Sequence, residues 1–177
     1  MEVILNYLLI SLLIWIIVFF FVEVVIITQK KNNYQQFYNY LKDNFIKNID
    51  LVVSAIEIIK KYASLDAQSL EKTLNYDESH FRDEDYELKI NDVERLLTII
   101  SKIDLLSVAF ENLNEDKEFI KIKKDLLNYK ESVKDDIKNY NILVKSYNLK
   151  REMFPTIIVA FCLSLKECNF LELEENI

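Results

Sequence analysis

The sequence predicts an all-α protein: an N-terminal transmembrane helix, then an antiparallel up-and-down bundle of three long helices and a short C-terminal one. Three observations predict it. The chain has 177 residues with no glycine and one proline, so turns are few and most residues have to be helical. An uninterrupted apolar run fills most of its first thirty residues. Beyond that run, apolar residues recur at steps of three and four, the period at which one face of a helix meets a partner.

Between Glu2 and Lys30 the only charged residue is Glu23. The twenty residues of Leu8–Ile27 match the roughly 30 Å of a bilayer's hydrocarbon core. Neither a basic start nor a small-residue cleavage site flanks the run, so residues 1–28 read as an uncleaved anchor rather than a removed signal peptide. Lys30, Lys31, Lys42 and Lys47 follow it, and Glu2 alone precedes it. The positive-inside bias then places a short N-terminus outside the cell (inner) membrane and the remainder in the cytoplasm. Glu23 is the one candidate for intramembrane chemistry, because a carboxylate in a span is functional by default. It lies four residues, roughly 6 Å, from Ile27, so its head is expected to reach interfacial water instead. Trp15 falls in mid-span, where it should pack on lipid or a second helix.

Residues 29–36 read as a polar juxtamembrane segment with Asn32-Asn33 as its weak point, and residues 37–170 as the bundle. The first bundle helix starts at Phe37 and sets Leu41, Phe45, Val52, Ile56, Ile59 and Ala63 on one face to about Leu74. Asn75 to Glu87 breaks the period with Asp77, Glu78, Asp83, Glu84 and Asp85, and reads as a solvated loop. A second helix from about Asp92 aligns Val93, Leu96, Leu97, Ile100, Ile103, Ser107 and Phe110, with Asn91-Asp92 as its expected cap. Asn112 to Asp116 is a turn.

The third helix, about Glu115 to Met153, carries Tyr140-Asn141, Tyr147-Asn148 and Phe154-Pro155 seven residues apart. Seven residues are two turns, so the three rings share a stripe. It extends back through Val144, Val133, Tyr129, Leu126, Ile122 and Phe119, with Ile137 serving where Asp136 interrupts. Such rings are expected to be core, and paired Tyr and Asn to fix helix register, in the manner of a coiled coil. Pro155 ends the helix. Thr156 to Leu165 is an apolar fourth helix expected to lie back over the bundle, and 171–177 is an acidic tail.

A formal charge of −7 argues against nucleic acid, whose phosphates would be repelled. His80 beside Asp83, Glu84 and Asp85 lacks a recurring metal spacing and reads as surface. Cys162 and Cys168, six apart, would stand roughly 9 Å apart along a helix, too far for a disulfide. They read as two small, partly buried hydrophobes in a reducing compartment rather than a metal or redox pair. Without glycine there is no phosphate-cradling loop of the usual kind and no glycine-flanked nucleophile turn. No catalytic, cofactor-binding or metal-binding residue is expected.

The run from Phe119 to Phe170 resembles the C-terminal part of the LemA family, through Phe119, Tyr140-Asn141, Tyr147-Asn148, Phe154-Pro155, Val159-Ala160 and Phe170. A second patch is similar to that family's other signature helix: Asp50-Leu51, Lys60, Tyr62-Ala63, Asp66 and Leu70-Glu71. The chain departs from the pattern at Val53-Ser54, where the family has Pro-Asn, and at Lys61, where it has Gly. The glycines usual after the Val-Ala pair are missing as well. The resemblance implies a bacterial single-pass membrane protein with a helical bundle and no established reaction. The expected role is that of a non-catalytic, membrane-anchored scaffold or adaptor for other membrane-associated proteins. A self-assembling membrane component, whose anchor helices form a homo-oligomer around Glu23, is the alternative. The span lacks the small-residue pattern that lets membrane helices approach closely.

Overall fold

A computed structural model of the chain describes residues 2–62, 72 and 86–172. Every regular element among them is helical. Helix α1 runs over Glu2–Tyr62, α2 over Ile90–Ala109 and α3 over Lys117–Glu152, with a 3-10 turn at Glu111–Glu115 between the last two. A short α4 occupies Thr156–Cys162. The described residues fall into two compact units. One gathers the chain up to Tyr38 with Asn139–Phe170, and the other holds Asn39–Lys138 with the end of the chain.

Residues 29–36, read from the sequence as a polar juxtamembrane segment with Asn32-Asn33 as its weak point, are helical, since α1 runs unbroken through them. The physical reason is local. Asn32 and Asn33 disfavour a helix by only about half a kcal/mol each relative to alanine. Their neighbours are also held: Lys30 donates to Ser146 Oγ at 2.6 Å, and the Tyr34 and Tyr147 rings stand 4.9 Å apart.

In the second unit, α1 buries Leu41, Phe45, Ile49, Val52, Ile56 and Ile59 along one face. Helix α2 buries Val93, Leu96, Leu97, Ile99, Ile100, Ile103 and Ser107. The matching face of α3 is Phe119, Ile122, Leu126, Tyr129, Val133 and Ile137. Ile137 is buried and Asp136 half-exposed, as the interrupted stripe predicts. Polar pins fix α2 antiparallel to α3. Lys123 bonds Ser107 Oγ at 2.5 Å and pairs with Asp104 at 2.9 Å, while Lys130 donates to Ser101 Oγ at 2.8 Å.

Two helix starts differ in kind. Helix α2 begins at Ile90, two residues before the expected position, behind an extended Lys89 that makes no side-chain cap. Asp92 instead accepts the Tyr86 hydroxyl at 2.9 Å, and its charge in the first turn suits the helix dipole. Helix α3 has a true cap, since Asp116 Oδ1 accepts from the Glu118 and Phe119 amides at 2.9 and 3.1 Å. The expected acidic loop lies outside the described residues for Asn75–Asp85, as do His80, Ala63, Asp66, Leu70 and Glu71. Residues 173–177 of the tail lie outside them too.

In the first unit, α3 ends at Glu152 and the chain turns through Phe154 and Pro155, whose peptide bond is cis, into α4. Helix α4 is shorter than expected. It closes with the Leu165 amide on Ala160 O at 2.9 Å and the Ser164 amide on Phe161 O at 3.1 Å. This double bond pattern requires a left-handed residue, usually glycine, just past the helix. With no glycine in the chain, Ser164 takes that role at φ 50°, at a cost of about 1 kcal/mol. From Leu165 the chain runs as an irregular strap to Glu172.

Candidate functional site

The first unit brings together most of the residues singled out in the sequence. Tyr140, Tyr147 and Asn148 are buried on α3, and Asn141 is half-buried beside them. Their polar atoms hold the strap. Tyr147 donates its hydroxyl to Lys166 O at 3.0 Å. Tyr140 reaches Asn169 O at 3.4 Å and shares a hydrogen bond of the same length with the Cys168 thiol. Between them, Asn148 makes a two-way amide pair with the Cys168 backbone: it donates to the carbonyl at 2.8 Å and accepts from the amide at 3.1 Å.

The seven-residue spacing now has a mechanical cause. Two helical turns rise roughly 10.5 Å, and three extended residues rise roughly 10 Å. Tyrosines seven apart on α3 therefore meet carbonyls three apart, at Lys166 and Asn169, on a segment running the other way. Helix α1 closes the far side with Tyr34 against Tyr147 and Tyr38 against Tyr140, whose ring centroids are 4.9 and 5.9 Å apart. Burial raises the pKa of three of these ring hydroxyls. Tyr34 is pushed up to about 12, chiefly by burial and then by Cys168 and Tyr147. Tyr140 and Tyr147 are raised as well, again chiefly by burial.

Glu23 is not a solitary carboxylate reaching for interfacial water, as its position in the run suggests. It is buried, with 7% of its surface exposed, and Lys150 Nζ stands 2.7 Å from its Oε2. Thr156 Oγ1 donates to the same oxygen at 2.5 Å. Ile27, one turn on, is wholly buried in a cluster with Tyr147 and Val159, against which Phe20, Val24, Tyr34, Leu165 and Cys168 pack. The end of the apolar run is thus covered by protein, whereas Val3–Phe19 lies exposed.

Two expectations need correction. Phe154 does not extend the buried stripe of Tyr140 and Tyr147: it lies beyond the end of α3 and is 80% exposed. Pro155 and Ala160 are buried. Cys162 and Cys168 do not share a helix, because α4 stops at Cys162. Both are free, Cys162 exposed and Cys168 half-buried. Sequence reasoning missed Lys150, Thr156, Tyr34 and Tyr38. A signal existed for the last pair, since two tyrosines four apart share a helix face. None existed for Lys150, one lysine among many.

The LemA family's sequence profile matches residues 38–177. The chain belongs to the LemA family. Its Tyr-Asn signature on α3 is, in this LemA chain, the clamp on the strap, and its Val-Ala pair is the buried side of α4. Past that pair, Ser164 stands in the left-handed region. No curated protein and no solved structure matches the chain.

Truncating Tyr147 to alanine should cost about 3–5 kcal/mol, a core aromatic loss. Tyr147→Phe removes only the bond to Lys166 and should cost about 1 kcal/mol. Thermal unfolding of the full chain in detergent checks both values, and equal losses would contradict the clamp. The raised tyrosines also set an alkaline limit. The folded state keeps protons that the unfolded chain loses near pH ~10, so this stabilisation is complete below that pH and disappears as pH rises through 12. Tyrosinate absorbance of the folded protein should show a late component near pH 12 that Tyr34→Phe removes. A single titration of all ten tyrosines near pH ~10 would contradict the packing.

Proposed function

We propose that this chain is a membrane-anchored helical scaffold or adaptor that binds other membrane-associated proteins and carries out no reaction of its own. The observation that carries it is the exposure pattern of α1. Val3 to Phe19 presents apolar side chains on every face, and Glu23 and Ile27 are then built into the fold. A helix apolar all round needs a membrane or a partner, and α1 is the one helix among the described residues long and apolar enough to cross a bilayer. The lysines after the run favour a cytoplasmic position for the bundle.

The self-assembly alternative asks Glu23 to line a shared interior. Its carboxylate is already taken by Lys150 and Thr156 of the same chain, which favours the adaptor. Photocrosslinking of the full-length protein in native membranes should trap a different membrane-associated polypeptide, with proteolysis of intact and opened cells placing the bundle inside. A homo-oligomer dissolved by Glu23→Leu, or turnover of a substrate by the intact chain, would overturn this reading.

A further inference from the structure

We infer that the corner between α3 and α4, residues Met153 to Leu163, is a second membrane contact: an interfacial segment that dips into the lipid headgroup boundary beside the anchor. The inference rests on the anchor reading and adds a surface to it. Helix α4 buries Thr156, Val159 and Ala160, and those residues hold it to α1. Thr156 is bonded to Glu23, and Val159 packs with Ile27. Its other faces are apolar and bare. Phe161 is 85% exposed, and Met153, Phe154, Ile157, Ile158 and Leu163 are exposed with it.

The position of this patch identifies its occupant. Val3 to Val22 holds no charged residue, and its 20 residues rise roughly 30 Å, the depth of a hydrocarbon core. Glu23 and the α4 residues bonded to it then fall where the helix leaves the acyl chains. A short apolar face at that level lies in the layer that amphipathic interfacial helices occupy. Charge agrees. Residues 23–38 and 139–170 carry six basic side chains (Lys30, Lys31, Lys145, Lys150, Arg151 and Lys166) against three acidic ones (Glu23, Glu152 and Glu167). The chain as a whole is at −7, so the basic excess is gathered in the unit that holds the apolar run, where an anionic lipid surface would attract it.

The test uses the full chain carrying Cys168→Ser, with a fluorophore on Cys162, in vesicles of phosphatidylglycerol and phosphatidylethanolamine in equal parts. Nitroxide lipids labelled in the headgroup region should quench the Cys162 probe strongly. A probe on Lys124→Cys, in a Cys162→Ser, Cys168→Ser background, should be quenched weakly. The double change Phe154→Ser with Phe161→Ser removes two exposed rings without touching the core, and should cut the Cys162 quenching several-fold while leaving helicity unchanged. Trp15, the only tryptophan, reports the anchor independently through quenching by lipids labelled deep in the acyl chain. Quenching of Trp15 without quenching at Cys162 overturns the second contact and leaves the anchor standing. Loss of both overturns the two together. A Cys162 probe shielded in native membranes but open to aqueous quencher in protein-free vesicles would mark the patch as a protein interface and overturn the proposal.

Discussion

A carboxylate taken from water by an apolar helix has to be answered by a cation and a donor, and Glu23 is answered by Lys150 and Thr156. Buried and unpaired, it would cost several kcal/mol. That demand brings the end of α3 and the start of α4 against α1 at one register. Other contacts of that unit follow in antiparallel order: Lys30 with Ser146, Tyr34 with Tyr147, Tyr38 with Tyr140. The apolar run is therefore not appended to the fold by a linker. Its last turn is part of the core.

The same register explains the aromatic motif. With α3 fixed against α1, the two tyrosines and Asn148 point at a strap whose carbonyls at Lys166, Cys168 and Asn169 accept from them. Asn148 behaves toward Cys168 as a neighbouring strand would, offering one donor and one acceptor to the same residue. The strap's polar backbone is satisfied without a sheet. Because Ser164 accepts a left-handed conformation, the chain can turn from α4 into the strap with no glycine. These devices convert a composition poor in turn formers into a closed unit.

Much of the fold was legible in the sequence because helix periodicity reports burial directly. The α2 and α3 faces and the substitution of Ile137 for Asp136 follow from spacing alone. Helix ends were less legible, because caps depend on neighbours. Asp92 prefers the Tyr86 hydroxyl to capping, and Asp116 caps where a turn was expected. The candidate site was half legible. Tyr140, Tyr147 and Asn148 announce themselves by their repeat, but their partner is an irregular strap with no period to detect. Glu23 stands out in an apolar run, while its partner Lys150 is one charged residue among many on α3. Phe154 shows the limit of extrapolating a stripe: the heptad continues in sequence past the point where Pro155 has turned the chain.

Glu23 and Lys150 form one energetic unit that holds the apolar helix against α3. A double-mutant cycle on the full chain in lipid nanodiscs, with Glu23→Leu, Lys150→Met and the two combined, measures it most directly. Each single change leaves a charge without its partner, so the double variant should be less destabilised than the sum, by on the order of 2 kcal/mol. Losses that simply add would show that the two residues do not depend on one another and would contradict the account.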